Sequence, residues 1–165
     1  KRGPLFSADA VVKDLYQSKS FRKLLSKKFN IINSIKIKKS LKKIIFDNKI
    51  DIKKLEQIIH PLVRKKMNKF TLQNKNKKIL FYEIPLLVEN KLMKHFNVIF
   101  FIKAKKQTRL KRFRLKHKDN KLFNLLNNKQ MDDYKKSKFC DHVVVNEKNL
   151  KILKKNLSSI IKYYE

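Results

Sequence analysis

The chain has 165 residues, with 44 Lys and Arg against 13 Asp and Glu and a formal net charge of +31. Its length suits one folded domain, and a hydrophobic content of 42% excludes a disordered polycation. The charge predicts a polyanionic partner, either a nucleic acid, an anionic membrane surface or phosphorylated small molecules. Lysines scattered along the whole chain also fit a surface under little constraint with a modest anion site, which we favour over a dedicated nucleic-acid surface.

The predicted elements alternate between strands and helices. Strands are expected at residues 4–6, 79–85, 97–102 and 142–145. Helices are expected at residues 9–16, 20–29, 37–46, from 51 onward, 86–94, 105–116, 121–128, 131–139 and 150–164. Asp9 and Asp51 are predicted N-caps, and Pro61 predicts a kink or break near His60.

Compact apolar strands alternating with helices predict a three-layer α/β fold, a parallel sheet flanked by helices. Ligands bind such sheets at the carboxyl ends of the strands. The residues that follow the predicted strands are therefore the candidates for a site: Asp9, residues 83–89, residues 103–114 and Asn146.

A single cysteine, Cys140, excludes a disulfide framework and fits a reducing cytosol. The longest apolar runs, near residues 98–102, are too short to span a bilayer, and nothing resembles a signal peptide. We therefore expect a cytoplasmic protein that does not use the membrane. A nucleic-acid partner bound through the basic surface stays open, and no oligomeric state is predicted.

Four segments carry a family resemblance. They are Phe6-Ser7-Ala8-Asp9, residues 55–64 with His60-Pro61-Leu62, residues 83–89 with Pro85-Leu86-Leu87, and an arginine-rich helix at residues 109–114 followed by Gln130 and residues 141–146. In this order they resemble the dephospho-CoA kinase family, a branch of the P-loop nucleotide kinases. Ser7 stands where that family has the first Asp of an Asp-Ala-Asp triplet.

The resemblance implies an ATP-dependent phosphotransferase of the P-loop kinase fold. It would phosphorylate the ribose 3′-hydroxyl of dephospho-CoA, giving CoA and ADP in the last step of coenzyme A biosynthesis, with Mg²⁺ bound alongside ATP. Residues 1–165 would form a single domain with a helical lid near residues 105–139.

The family's Gly-rich phosphate loop is absent from these 165 residues, in which Gly3 is the single glycine. Truncation is the simplest explanation, with the first strand and phosphate loop missing. We therefore expect the chain as it stands to be inactive or nearly so, because such a loop cradles the transferred phosphates.

Two residues are implied to be catalytic. Asp9, at a strand end, could accept the proton of the acceptor hydroxyl or organise Mg²⁺ through water, and it could also be an ordinary helix cap. Arg112 is the first candidate for stabilising the transferring phosphoryl group. Arginine is scarce in this lysine-rich chain, which suggests a need for planar bidentate contacts, although a solvated basic helix face fits as well.

The remaining implied sites bind substrates. His60, Arg64 and Glu89 would bind the acceptor, and Arg109, Arg114 and Asn146 would bind ATP; no protein metal ligand is assigned. Each has a structural alternative. His60 could be a polar residue before Pro61, Glu89 could be structural, and Asn146 could be a turn residue.

Two other functions stay open on the sequence. The chain could be a different P-loop nucleoside or nucleotide kinase, which would share the fold and the lid. It could also be a basic RNA-associated binding protein without catalysis, which would explain the charge without an active site.

Overall fold

The computed structural model describes residues 2–33, 35–46, 52–116 and 119–165. The strands in these ranges are β1 (Leu5–Ser7), β2 (Phe81–Glu83), β3 (Phe100–Lys103) and β4 (His142–Val145). The α-helices are α1 (Ala8–Gln17), α2 (Lys19–Lys28), α3 (Ile37–Phe46), α4 (Ile52–Gln73), α5 (Lys106–Arg114), α6 (Asn120–Asn128), α7 (Asp133–Ser137) and α8 (Leu150–Ile161). The chain divides into two compact units, Lys1–Pro85 and Leu86–Glu165.

In the first unit, β1 and β2 form a parallel pair in which Ser7 lies opposite Glu83. Parallel neighbours require a long crossover, and α1 to α4 form it. The ring of Phe70 on α4 lies 5.6 Å from that of Phe6 and 5.5 Å from that of Tyr82, centroid to centroid. The end of α4 therefore packs on both strands, and both carboxyl ends of the strands point the same way.

The core of the first unit is helical. Its members are large apolar side chains that are less than a tenth exposed: Phe21, Leu25, Ile31, Ile37 and Leu41. Their four-residue spacing on α2 and α3 puts one face of each helix inward. Each such side chain contributes about 1.5–3 kcal/mol by burial. Helix α3 has the bounds predicted from this periodicity.

Helix α4 continues through Pro61, so the expected break near His60 is wrong. A proline inside a helix removes one backbone hydrogen bond and costs about 3 kcal/mol or more. Apolar side chains before and after Pro61, among them Ile58 and Leu62, pack on the same core cluster. Packing of both halves on one surface offsets the lost bond. Asp51, the predicted cap of this helix, lies outside the described residues.

In the second unit, β3 and β4 form another parallel pair, with Phe100 opposite His142. Val144 on β4 is buried, and the Asp141 carboxylate accepts a 2.7 Å hydrogen bond from Ile99 N just before β3. Helix α8 then packs against β4. These strands confirm the parallel α/β architecture. Strand β4 has the predicted bounds, whereas β3 begins later and is shorter than predicted.

The helix predicted at residues 86–94 is wrong. Residues 85–91 form turns, and a short 3₁₀ helix follows at Met93–His95. Leu86 and Lys91 have φ angles of 56° and 55°, in the left-handed region that no α-helix uses. Neither residue type signals this conformation, which is why periodicity predicted a helix. The helix predicted at residues 131–139 is likewise shorter, because Asp132 caps α7.

None of the helices in the described part of the chain has the length and apolar character needed to cross a membrane.

Candidate active site

Asp9 lies in the first turn of α1, directly after β1. The helix begins here because Ser7 is extended and its hydroxyl accepts a hydrogen bond of 3.4 Å from Ala10 N. The prediction that Asp9 caps the helix is therefore wrong, since Ser7 does so. Because Ser7 caps the helix, the Asp9 carboxylate makes no capping bond, and none of the described residues donates a hydrogen bond to it.

The electrostatic environment of Asp9 is unfavourable to its charged form. The residue as a whole is exposed, yet its carboxyl group is partly buried at the strand end. This burial, and then the negative charge of Glu83, raise the pKa of Asp9. Glu83 is close because it ends β2 opposite Ser7. The structure thus brings together two carboxylates, and perturbed acids of this kind are concentrated at functional sites.

His60 and Arg64 lie one helical turn apart on α4, as the four-residue spacing predicted. His60 is half-buried and Arg64 is exposed. Among the described residues, neither side chain has a hydrogen-bond or ion-pair partner. The inward face of the same helix is occupied by Ile58, Ile59 and Leu62, which pack on the core cluster. Helix α4 therefore presents a cation that none of the described residues neutralises.

Glu89 follows β2 in the turn at residues 85–91, and one of its two carboxylate oxygens is hydrogen-bonded to the protein. Its Oε1 accepts hydrogen bonds of 2.9 Å from Met131 N and 3.0 Å from Lys136 Nζ. Both side chains of the ion pair are largely buried, with 15% exposure for Lys136 and 13% for Glu89. The second oxygen, Oε2, is buried and has no partner in the described ranges.

These contacts decide the charge state of Glu89. Burial alone would raise the pKa of this carboxyl group, but the bonds from Met131 N, its own backbone N–H and Lys136 together lower it. Glu89 is therefore an anion that joins the turn at residues 85–91 to Met131 and Lys136. Sequence reasoning assigned Glu89 to the substrate and missed Lys136.

The three arginines of α5 are each bonded to another part of the second unit. Arg109 donates to the side-chain oxygen of Gln130, while its Nε is buried without a partner in the described residues. Arg112 donates a 3.2 Å bond to the backbone oxygen of Lys148. Arg114 donates a 3.1 Å bond from Nε to Asn120 Oδ1. The guanidinium groups are therefore placed before any ligand binds.

Asn146 and Glu147 follow β4 at its carboxyl end. Asn146 N donates a 2.7 Å hydrogen bond to Lys103 O, which extends the β3–β4 ladder, and its side-chain amide has no partner in the described ranges. Glu147 accepts hydrogen bonds from Lys105 N and from the Thr108 hydroxyl, the latter at 2.5 Å. The Thr108 bond, then the Lys105 bond, lower the pKa of Glu147.

Sequence reasoning missed Glu147 and gave no role to Thr108, although Thr108 lies in the candidate range 103–114. One signal was available, because Glu147 directly follows Asn146 at a strand end. Its partners lie about forty positions earlier in the chain, a separation that no local pattern reveals.

A family model described as dephospho-CoA kinase matches residues 8–151. The chain belongs to the dephospho-CoA kinase family. The matched range includes every candidate residue named above, from Asp9 to Glu147. Members of this family are ATP-dependent phosphotransferases, and the alternatives of another nucleotide kinase or a basic RNA-associated protein are not favoured.

Relatives of this dephospho-CoA kinase family member are found in several bacteria. The dephospho-CoA kinase of Bartonella quintana is 34% identical over 162 residues, which cover 95% of this chain and 83% of the relative. That of Rickettsia conorii is 29% identical over 161 residues, covering 97% of this chain and 84% of the relative.

Solved structures support the fold. The Thermus thermophilus protein TT1252 superposes with a TM-score of 0.77 at 21% identity, covering 98% of this chain and 84% of the other. Dephospho-CoA kinase from Campylobacter jejuni superposes with a TM-score of 0.62 at 22% identity, covering 99% of this chain and 85% of the other. The chain therefore has the P-loop kinase fold of the dephospho-CoA kinases.

Proposed function

We propose that this protein transfers the γ-phosphoryl group of ATP to the ribose 3′-hydroxyl of dephospho-CoA, giving CoA and ADP. The observation that carries the proposal is the family match over residues 8–151. In the reaction, the 3′-oxygen forms a bond to the γ-phosphorus as the bond from that phosphorus to the β–γ bridging oxygen breaks. The hydroxyl proton must pass to a base.

In this proposal Asp9 is the base. Its position at the end of β1, its lack of a protein donor among the described residues and its raised pKa all support this role. A carboxylate of raised pKa is a better proton acceptor near neutral pH than an ordinary aspartate. Glu83 contributes by its charge, which makes the Asp9 carboxylate more basic.

We assign binding of the acceptor substrate to His60, Arg64 and Glu89, and within it the diphosphate to the cationic Arg64. Arg64 is exposed with no protein acceptor among the described residues, which suits a bidentate contact to a phosphate. His60 lies on the same helix face. Glu89 orders the turn after β2 and keeps one oxygen, Oε2, unpaired.

We assign the triphosphate of ATP to the arginine helix α5. Arg112 would neutralise the charge on the transferring phosphoryl group, and Arg109 and Arg114 would bind the other phosphates. The side-chain amide of Asn146 is assigned to the adenine. The domain of residues 1–165 and its lid at residues 105–139 belong to the same proposal.

We propose Mg²⁺ as the divalent metal that accompanies ATP. No group of three or more His, Cys, Asp or Glu side chains in the described residues is arranged to hold a metal ion. Magnesium keeps several of its waters and binds through substrate phosphates, so we assign it no protein ligand and keep Asp9 as the base. Bound with ATP, the ion would neutralise charge on the phosphates. We place the reaction in the cytoplasm.

The test is a coupled assay of ADP release with the protein expressed from its whole reading frame. Dephospho-CoA and AMP are compared as acceptors in the presence of ATP and Mg²⁺. We expect turnover with dephospho-CoA and little with AMP. In the Asp9→Asn variant, turnover should fall by about 10²–10⁴-fold, the usual contribution of a general base.

The matched control is Asp14→Asn, the same chemical change at an exposed position of α1. It should keep wild-type turnover. A folded wild-type protein without turnover would refute the proposed function. Full activity in Asp9→Asn would refute the role of Asp9.

A further inference from the structure

Helix α5, which carries the three arginines, begins without a capping side chain of its own. Its N-cap residue is Lys105, and the Lys105 side chain makes no capping bond. The first backbone N–H groups of a helix have no partner inside the helix, so a side chain normally accepts from them. The N-terminus of α5 therefore needs an acceptor from elsewhere in the protein.

Glu147 supplies that acceptor from the far end of β4. One carboxylate oxygen accepts from Lys105 N, and the other accepts from the Thr108 hydroxyl at 2.5 Å. In an ordinary capping box, the third residue of the helix bonds the N-cap N–H itself. Here Thr108 occupies that third position and bonds Glu147 instead, so one distant carboxylate contacts both groups.

The same segment also contacts the middle of α5. Arg112 lies one turn after Thr108, and its guanidinium donates a 3.2 Å bond to Lys148 O, next to Glu147. The charge of Arg112 further favours the ionised form of Glu147. Residues 147–148 therefore bond α5 at its first turn and at Arg112.

We propose that Glu147 is a positioning residue that sets the place of Arg112 for phosphoryl transfer. Glu147 acts through its hydrogen bonds to Lys105 N and Thr108, and it touches neither substrate. The inference rests on the proposed function, in which Arg112 neutralises the transferring group. Electrostatic stabilisation depends on placing the charge in advance, so a displaced Arg112 should weaken both ATP binding and turnover.

The test compares Glu147→Ala with Glu147→Gln in the protein expressed from its whole reading frame. Glutamine keeps both contacts, because its amide oxygen can accept from Lys105 N and its NH₂ can donate to the Thr108 hydroxyl. Alanine keeps neither. We expect kcat/KM for ATP to fall about tenfold in Glu147→Ala and to stay within about threefold of wild type in Glu147→Gln. The KM for dephospho-CoA should be unchanged in both variants.

A second readout is hydrogen exchange at the Lys105 amide. Exchange should be faster in Glu147→Ala than in wild type and close to wild type in Glu147→Gln. Lys148→Ala is the control, because it removes a neighbouring exposed side chain and keeps the backbone oxygen that Arg112 contacts. It should leave kinetics and exchange unchanged.

Three results would overturn the proposal. The first is wild-type kcat/KM in Glu147→Ala with faster Lys105 exchange, which would make the contact structural only. The second is an equal loss of kcat/KM for ATP and for dephospho-CoA in Glu147→Ala. The third is a kcat/KM for ATP that falls as far in Glu147→Gln as in Glu147→Ala. ATP affinity measured by calorimetry separates this proposal from the proposed function. If the wild-type protein bound ATP without turnover, only the function would fail, and a weaker affinity in Glu147→Ala than in Glu147→Gln would still support positioning.

Discussion

The charged candidate residues of the two compact units differ in whether their side chains are bonded to other parts of the protein. In the first unit, Asp9 and Arg64 have no hydrogen-bond partner for their side chains among the described residues. In the second unit, Glu89 and Arg112 are each bonded to another part of the protein. Unpartnered charges are available to a ligand, whereas bonded charges are placed before the ligand arrives. The difference suggests direct recognition in the first unit and preorganisation in the second.

The largest expected effect comes from removing a bonded charge. Glu89→Gln deletes the negative partner of Lys136, whose side chain is only 15% exposed. Leaving a mostly buried ammonium unpaired should lower the free energy of unfolding by about 2–4 kcal/mol. Denaturant titration at neutral pH measures this loss. The same change at exposed Glu83, Glu83→Gln, is the control and should alter stability by no more than about 0.5 kcal/mol.

The lowered pKa of Glu89 also predicts how the stability loss in Glu89→Gln depends on pH. The pKa of Glu89 is lowered in the folded protein, so the ionised carboxylate stabilises the fold above the ordinary glutamate range. That contribution is lost as the pH falls through the folded-state pKa. The stability gap between wild type and Glu89→Gln should therefore be widest at neutral pH and narrow in acid. A gap that is constant with pH would contradict the charged role of Glu89.

An unpartnered charge should behave in the opposite manner. Arg64→Ala removes no hydrogen bond or ion pair among the described residues, so its free energy of unfolding should change by less than about 0.5 kcal/mol. Affinity for dephospho-CoA, measured by calorimetry, should fall about tenfold because a charged hydrogen bond to phosphate is lost. Lys65→Ala, an exposed neighbour, is the control. Equal losses in both variants would indicate a general effect of basic charge.

The smallest expected effect is a shift in the pH dependence of kcat/KM in the Glu83→Gln variant. Glu83 raises the pKa of Asp9 by charge, after the larger contribution of burial. In Glu83→Gln that pKa should fall, although not fully to its ordinary value. The acid limb of kcat/KM should therefore move to lower pH, since Asp9 must be ionised to accept a proton. An unmoved acid limb would mean that another group controls it.

Local sequence patterns predicted much of this fold. The bounds of α3 follow from apolar spacing, and the parallel strands follow from compact apolar runs separated by helices. Patterns failed where tertiary contacts overrule local preference. Helix α4 continues through Pro61 because apolar side chains both before and after this proline pack on the core cluster. Leu86 takes a left-handed conformation that its residue type does not signal.

The candidate site was predictable only in part. Asp9 is a candidate because it follows a strand, and Arg112 because arginine is rare beside so many lysines; both roles stay predictions. The hydrogen-bond partners of Glu89 and Glu147 could not be predicted in the same way. Glu89 with Lys136, and Glu147 with Thr108, are joined across about forty residues or more, and only the folded chain brings them together.

The most direct test of the proposed function is phosphorus NMR of the reaction products. Protein from the whole reading frame is incubated with ATP, Mg²⁺ and either dephospho-CoA or its 3′-deoxyribose analogue. We predict a new phosphomonoester signal with dephospho-CoA, matched by ADP, and no such signal with the 3′-deoxy analogue. Absence of the signal with dephospho-CoA, or its presence with the analogue, would contradict phosphorylation of the 3′-hydroxyl.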